Sequence, residues 1–484
     1  MAVRADAQNQ ELAAHLTRLG WSPARLAQAV NAVLGPGYIT RTSVTGWIAK
    51  GRVPRDPLPT VTAHVLADAL GQPVPLARLW GPGVRSSASV RADDGLPTPT
   101  APGATVETAA QWVIHDGGDM ERRTFLAISG AALTGPAHAV TADFQPDTTP
   151  VTVAPLDTSA VVTPAVTAAI ATTVDAVRSL DDAEGGDRST LTHAHREFMV
   201  VAGYVRAGRF TDAATRTRTI NLWGQLAQTV GWMAMDAGLH GLAQRYYRTG
   251  LTAAHESGDL ALASHLHGCL TYQAITRGHV RDALDLANAA ITAARGAPPA
   301  VRALAAARHA HAHAALGDVH GLRQSTDEAR RHLEHPDTLD SRPPWLYWLT
   351  DLRVVTGQSL ITAAFADSAH SRQRSADLLT EADPLITEWL GANAERTEDR
   401  DALLHGTWLA RSYLRRDNVE QTITTATSLL RYASTVRSAQ VRNILLDLDA
   451  DLAQRRDLRT HRGALQLRAD LALLFPDVPT RDRR

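Results

Sequence analysis

The stretch WSPARLAQAVNAVLGPGYITRTSVTGWIAKG, residues 21–51, predicts two short helices joined by a turn. Ser22 is a favourable N-cap residue, and Pro23 suits the first helical position. Apolar residues then recur at the i, i+3, i+4 spacing that gives a helix one nonpolar face: Leu26, Ala29 and Val30. The Gly-Pro-Gly sequence at residues 35–37 predicts the end of this first helix.

The second helix in this stretch is predicted to have one nonpolar and one polar face, with Thr40 as its N-cap. The residues expected to face a core repeat the same apolar spacing: Val44, Trp47 and Ile48. The residues expected to face outward are short and mostly polar: Arg41, Thr42, Ser43, Thr45 and Gly46. The helix therefore offers solvent a narrow polar surface with little bulk.

Such a surface can enter the DNA major groove, roughly 12 Å wide, where hydroxyl groups and a guanidinium can reach base edges. Lys50, Arg52 and Arg55 follow the helix and are expected to contact phosphates, which position a protein without reading sequence. The alternative is a small helical domain whose polar residues are simply solvated.

Several segments resemble the N-terminal DNA-binding domain of Xre/Cro-type regulators. They are Glu11-Leu12, LAQAV (26–30), TRTSVTGW (40–47), GRVP (51–54) and LADALG (66–71). The resemblance covers about the first 80 residues and implies that the helix after the turn is the recognition helix. The turn from Asn31 to Ile39 is several residues longer than is usual in the family, as in a subset of actinobacterial regulators.

Charge is unevenly distributed along the 484 residues, whose formal net charge is -1. Residues 1–85 hold nine basic and four acidic side chains, which gives about +5 and leaves about -6 for the remainder. A basic N-terminal part followed by an acidic remainder is typical of a polyanion-binding domain joined to a regulatory domain. With 44% hydrophobic and 20% charged residues, the composition is that of a soluble globular protein.

Several classes of protein are disfavoured by what the sequence lacks. The single cysteine, Cys269, allows no internal disulfide and no cysteine-based zinc site, and it suits a reducing cytoplasm. No apolar run reaches the roughly 18 to 20 residues of a membrane span. The sequence also carries no phosphate-binding loop, dinucleotide fingerprint or GxSxG elbow, so we expect no cofactor and no enzymatic activity.

Composition and helical periodicity predict six segments and an all-α fold. They are a helix-turn-helix domain (1–83), a flexible linker (84–105), a connector helix (106–134), a Pro/Thr-rich linker (135–163), a helical repeat domain (164–476) and a tail (477–484).

The segment from Met120 has a second interpretation. Its sequence MERRTFL, followed by AISGAALTG and Ala137-His138-Ala139, resembles a twin-arginine export signal with a small-residue cleavage site. Translation from Met120 would then give an exported product. Otherwise the segment is a connector helix with an apolar face that packs on the helical repeat domain or on a second protomer. This face is formed by Phe125, Leu126, Ile128 and Leu133.

Glycines recur in the helical part of the chain, where Gly208, Gly238, Gly278 and Gly317 stand 30, 40 and 39 residues apart. Each is predicted to close one helix and open the next. Phrases with small residues at helical spacing follow them, at 209–220, 239–254, 279–294 and 318–333, with a further copy at 405–430. Aromatic and aliphatic side chains are expected to fill the gaps between helix pairs: Trp232, Tyr246, Tyr247, Leu251 and Leu270.

This pattern resembles tetratricopeptide-type helical hairpins, whose usual period is about 34 residues, most clearly over 190–333. The resemblance implies an α-solenoid with a concave surface for a peptide, a protein or a small ligand. An array that only dimerises the protein fits the pattern equally well.

Two groups of side chains could carry further chemistry. His309 and His313 have a metal-ligand spacing on one helix face, but no HExxH motif accompanies them, so solvated or core histidines are favoured over a metal site. Trp345, Tyr347 and Trp348 form the densest aromatic cluster, which predicts either core between helix pairs or the lining of a ligand groove.

Asp181 and Asp182 are expected to be solvated in a polar loop.

Together these features predict a cytoplasmic, nucleoid-associated transcriptional regulator that binds double-stranded operator DNA as a homodimer. Its repeat domain would sense a ligand or partner, and similarity to actinobacterial regulators implies control of development or specialised metabolism. The long turn and the small side chains of the second helix also allow an interaction scaffold without sequence-specific DNA binding.

Overall fold

The computed structural model describes residues 9–34, 38–55, 58–70, 74–81, 90–92, 124–126, 161–335, 340–366, 372–392, 399–433, 436 and 438–474. The fold is all-α, as predicted, with one pair of three-residue strands among the described elements. Met120, the 35–37 turn, the 477–484 tail and most of the predicted segments 84–105, 106–134 and 135–163 lie outside the described residues.

Contacts divide the chain into two compact units. The first comprises residues 1–96, 116–133 and 240–242, and the second comprises 97–115, 134–239 and 243–484. The first unit contains helices α1 (Gln10–Leu19), α2 (Pro23–Leu34), α3 (Arg41–Lys50), α4 (Leu58–Leu70) and α5 (Leu76–Trp80), and strands β1 (Val90–Ala92) and β2 (Thr124–Leu126).

The strands differ from the sequence prediction. They pair in parallel, with Val90 opposite Thr124 and Ala92 opposite Leu126. Thr124–Leu126 is therefore extended where a connector helix was expected, and Val90–Ala92 is paired where a linker was expected. β-Branched and aromatic residues such as Val90, Thr124 and Phe125 favour the extended backbone, and the helical periodicity of the surrounding sequence concealed this local preference.

The helices of the first unit pack around two tryptophans. The rings of Trp47 on α3 and Trp80 on α5 meet edge to face, with centroids 5.8 Å apart. The Trp80 indole nitrogen donates a hydrogen bond to the Pro59 carbonyl (3.0 Å). Leu26 and Val44, on the two helices of the quoted stretch, are fully buried in the same core. The residues at the apolar spacing found in the sequence thus form the buried side of both helices.

Local hydrogen bonds fix the ends of α2 and α3. The Ser22 hydroxyl accepts from the Arg25 amide (3.2 Å), and Thr40 and Ser43 form a reciprocal capping box at the start of α3. The long turn is tied at its ends because the Asn31 side chain donates to the Ile39 carbonyl and accepts from the Ile39 amide, both at 2.9 Å. These bonds hold the start of α3 against the end of α2.

The second unit contains fourteen α-helices in its described residues, of which α9 has its first three residues in the first unit. They are α6 (Pro164–Glu184), α7 (Arg188–Ala207), α8 (Ala213–Asp236), α9 (His240–Glu256), α10 (Leu260–Thr276), α11 (Val280–Ala293), α12 (Pro299–Ala315), α13 (Val319–Leu333), α14 (Arg353–Ala366), α15 (Arg372–Ala392), α16 (Asp399–Arg415), α17 (Val419–Leu429), α18 (Ala439–Gln454) and α19 (Arg462–Leu474). Short 3-10 turns form at Pro344–Leu346, Leu430–Tyr432 and Arg456–Leu458.

The glycines singled out in the sequence separate consecutive helices, as predicted. Gly208, Gly238, Gly278 and Gly317 follow α7, α8, α10 and α12, each with φ between 65 and 80°. Gly258 follows α9 with the same backbone conformation (φ 74°). Gly238, Gly258 and Gly278 are 20 residues apart, so one helix with its turn takes 20 residues and a hairpin takes about 40.

The hairpins build two layers in which the inner layer closes on itself. The inner helices are α8, α10, α12, α14, α16 and α18; each contacts the next, and α18 returns to contact α8. α11, α13, α15, α17 and α19 pack outside them, each against the inner helix that precedes it. Closure is marked by hydrogen bonds from the Ser438 hydroxyl to the Asp236 carboxylate and from the Gln440 amide to the Tyr272 hydroxyl. The first and last helices of the inner layer are thus in direct contact.

Candidate functional site

The structure exposes all the predicted DNA-contacting residues except Ser43. Arg41, Thr42 and Thr45 are exposed on α3, while Ser43 and Gly46 are half-buried. Val44 and Trp47 are buried on the opposite face. Lys50, Arg52 and Arg55 are exposed at and beyond the end of α3, where Gly51 takes a left-handed conformation (φ 56°).

The cations of this surface have no ion-pair partner in the part of the chain that the structure describes. Within the described ranges, no ion pair involves Arg41, Lys50, Arg52 or Arg55. Arg78 in the same unit differs, because its guanidinium pairs with Glu11 at 3.0 Å. The four cations around α3 are therefore free to meet an external anion.

The hydroxyl groups of α3 are not equally free. Ser43 is used in the capping box, and the Thr45 hydroxyl donates to the Arg41 carbonyl (3.0 Å). Thr42 makes no side-chain hydrogen bond to any described residue. Arg41 and Thr42 are thus the α3 side chains best able to form new hydrogen bonds, and Ser43 contributes to the fold of the helix start.

A cavity of about 310 Å³ lies inside the second unit. Its walls come from α6, α8, α10, α12, α14, α15 and α16 and from the segment before α14. The three aromatic residues singled out in the sequence all line it. Trp345 is 3% exposed, while Tyr347 and Trp348 are each 41% exposed and lie at the solvent side of the lining.

Five large aromatic side chains form what we call the aromatic wall of this cavity: Trp232, Tyr272, Trp345, Trp348 and Trp389. The Trp345 ring stacks on His265, with centroids 4.8 Å apart and planes at 9°. The Trp232 and Tyr272 rings are 5.6 Å apart. Burial lowers the pKa of His265 to about 3, so this ring is neutral at physiological pH and acts as a flat wall element.

The carboxylates of the cavity have partners in the protein. Asp181 accepts from the Arg400 guanidinium (3.2 Å). Asp182 accepts a hydrogen bond from the Tyr347 hydroxyl, and Asp351 pairs with Arg353 (2.8 Å). Asp401, the fourth carboxylate of the lining, pairs with Arg400 (3.5 Å), so three of these carboxylates face an arginine and Asp182 is hydrogen-bonded to a phenol.

The prediction that Asp181 and Asp182 are solvated in a loop is wrong. Both lie in the last turn of α6, with Asp181 buried and Asp182 half-buried. Burial raises the pKa of Asp181 to about 7, although the Arg400 charge opposes the shift. Adjacent acidic residues in a polar sequence are usually solvated, and only the distant partners Arg400 and Tyr347 explain why this pair is not.

Arg308 on α12 is the exception among the charged residues of the cavity. Its side chain lines the cavity, is 7% exposed, and has its guanidinium over the Tyr272 ring at 4.9 Å. No hydrogen bond or ion pair joins Arg308 to another residue of the described chain. Burial lowers its pKa, but an arginine guanidinium stays protonated. Arg178, on the same cavity, instead pairs with Asp175 (2.9 Å).

The two histidines with metal-ligand spacing lie side by side, with ring centroids 4.5 Å apart. The His309 ring nitrogens bond to Ser325 (2.9 Å) and Asn288 (3.1 Å), and His313 bonds to Asp318 (2.8 Å). In the described residues, no group of three or more histidine, cysteine or carboxylate side chains is arranged to hold a metal ion. Their spacing serves packing between α12 and α13.

Sequence reasoning missed three residues that line the cavity: Arg308, His265 and Arg400. Arg308 offered one signal, since it interrupts the alanine-rich run ALAAARHAHAHAA at a position where a helix buries its neighbours. A buried position filled by arginine needs an acceptor or a ligand. No local signal identified His265 or Arg400, because their partners are far away in the sequence.

None of the described helices is both long and apolar enough to cross a membrane. A family described as the SP15 N-terminal domain matches residues 12–79, from α1 to α5. No curated protein sequence matches the chain. The family match thus covers the helices that hold the α3 surface, and it does not extend to the unit that holds the cavity.

Proposed function

We propose that the protein is a DNA-binding transcriptional regulator whose helical-repeat unit binds a small effector. The observation that carries the proposal is the set of four exposed and unpaired cations on and after α3. They flank a slender polar helix face, and α3 follows α2 in the order expected for a recognition helix. The family match to the first unit names no activity and lends the proposal no further support.

In this proposal Arg41 reads bases, and Lys50, Arg52 and Arg55 contact phosphates. An arginine fork bonded to a guanine edge discriminates against the wrong base by about 1–3 kcal/mol. A phosphate contact adds the same affinity to every sequence and steepens the fall of affinity with salt. As a homodimer the cytoplasmic protein would place two copies of α3 about one turn of DNA apart.

The experiment begins with selection of binding sites from random duplex DNA by the purified full-length chain. Fluorescence anisotropy then measures affinity for the selected site and for a shuffled site over a salt series. We expect Arg41→Ala to remove about 1–3 kcal/mol of discrimination between the two DNAs. Arg52→Ala should weaken both complexes equally and lower the salt slope by about one unit.

Arg18→Ala is the matched control, because Arg18 is exposed on α1 and the change removes the same charge from another helix. Equal effects of Arg18→Ala and Arg41→Ala would show that the α3 surface does not read DNA. Failure of the selection to enrich any sequence, in vitro and in immunoprecipitated chromatin from the host, would favour the scaffold function instead.

A further inference from the structure

The cavity of the second unit has the size and the walls of a small-molecule site. Ligand sites in proteins are mostly apolar and aromatic concavities with a few well-placed polar groups. This cavity of about 310 Å³ lies at the lower end of the range of ligand pockets, roughly 300–1,000 Å³. The aromatic wall supplies flat surfaces, and the partly exposed Tyr347 and Trp348 give a route from solvent. The shape therefore suits one compact, planar molecule.

The charge of the cavity selects the kind of molecule. Each of its carboxylates has an ion-pair or hydrogen-bond partner in the protein, whereas Arg308, which is only 7% exposed, has no acceptor in the described chain. A cation that is 7% exposed and has no acceptor in the described chain keeps little of its hydration and gains only the face of the Tyr272 ring, which lowers stability. An anion in the cavity would restore the missing hydrogen bonds.

One guanidinium limits the anion to a single charge. A carboxylate can accept two parallel hydrogen bonds from an arginine fork. A phosphate dianion would need more positive charge, and it would approach Asp181 and Asp182, which line the same cavity. A monocarboxylate therefore fits the available charge better than a phosphate ester.

We propose that the cavity binds a planar aromatic monocarboxylate, with the carboxylate paired to Arg308 and the ring packed on the aromatic wall. The inference rests on the proposed function only in taking this ligand as the effector of the regulator. The binding itself needs no DNA, so the two ideas fail separately.

The test is isothermal titration of the full-length protein with four probes: benzoate, trans-cinnamate, 1-naphthoate and indole-3-acetate, each beside its neutral amide. We expect at least one carboxylate to bind with one molecule per chain. Its amide should bind roughly 10- to 100-fold more weakly, the loss expected for a charge-assisted hydrogen bond. Absence of binding by every carboxylate, or equal binding of acid and amide, would overturn the proposal.

Variants locate the anion. Arg308→Gln should weaken carboxylate binding roughly 10- to 100-fold and leave amide binding unchanged, and Arg308→Lys should restore part of the loss. Arg302→Gln is the matched control, because Arg302 lies on α12 but does not line the cavity. Equal affinity in Arg308→Gln and in the unmodified protein would place the anion elsewhere and overturn the assignment.

Three further measurements keep the outcome unambiguous. Thermal unfolding reports whether Arg308→Gln is folded; loss of an unpaired buried charge should not lower the melting temperature. Trp348→Ala, at a 41% exposed side chain, should reduce binding of 1-naphthoate more than that of benzoate. DNA binding is measured on the same preparations. Carboxylate binding without DNA binding would leave the ligand site standing and remove the regulator function, and the reverse would remove the ligand site alone.

Discussion

His267 on α10 provides a quantitative test of the interior of the second unit. Its side chain is 2% exposed, and neither ring nitrogen has a hydrogen-bond partner in the described chain. Burial lowers its pKa to about 3, from about 6.5 in an unfolded chain. Between these two values the unfolded state binds the extra proton, so the free energy of unfolding falls as the pH falls.

The size of the effect follows from the two pKa values. At pH 7.5 both states are neutral, and the ring contributes no pH dependence. At pH 5 protonation stabilises the unfolded chain by about 2 kcal/mol, since the pH is then about 1.5 units below the unfolded pKa. His267→Leu removes this difference and also removes two buried polar atoms that lack partners.

Urea unfolding at pH 7.5 and pH 5.0, followed by circular dichroism, measures the difference. Acidification should cost His267→Leu about 2 kcal/mol less than it costs the unmodified protein. His320→Leu is the matched control because His320 is exposed to water on α13, and it should keep the original acid response. Equal acid sensitivity of His267→Leu and the unmodified protein would show that the native ring is solvated or protonated.

Two further substitutions test packing within each unit. Trp47→Ala should destabilise the first unit by about 3–5 kcal/mol, because it removes half of the pair formed with Trp80. The expected result is that the unfolding transition of the first unit is lost while the transition of the second unit is retained. In the second unit, a Cβ at Gly186 would lie 2.1 Å from the Met233 carbonyl oxygen, so Gly186→Ala should cost about 1–3 kcal/mol or more. Gly203→Ala, in α7 with open space around it, should instead add about 1 kcal/mol to the free energy of unfolding in the same thermal assay.

The local features of the first unit could be predicted because they depend on neighbours in sequence. Ser22 and Thr40 cap helices through residues three positions away, and Val44 and Trp47 are buried by the period of one helix. The strand at Thr124–Leu126 could not be predicted in this way. Its extended backbone is stabilised by pairing with residues more than thirty positions earlier in the chain.

In the second unit, too, the local features could be predicted from the sequence and the long-range contacts could not. The glycines that end helices, such as Gly238 and Gly278, were evident in the sequence because a left-handed turn strongly favours glycine. Closure of the inner layer was not, since it depends on α18 meeting α8, about 200 residues earlier. The aromatic residues of the cavity were visible as a cluster, but their role could not be separated from ordinary core packing without Arg308.

Arg308 is informative because three other arginines that are buried or half-buried in the same unit have carboxylate partners. Arg178 pairs with Asp175, Arg400 with Asp181, and Arg416 with Asp383. A charge retained for stability alone needs such a partner, because burying it unpaired costs several kcal/mol. Replacement of Arg308 by an apolar side chain of similar volume would relieve that cost without breaking any bond in the described structure. A residue that lowers the stability of the empty protein and faces an aromatic cavity is better explained by what enters the cavity than by the fold around it.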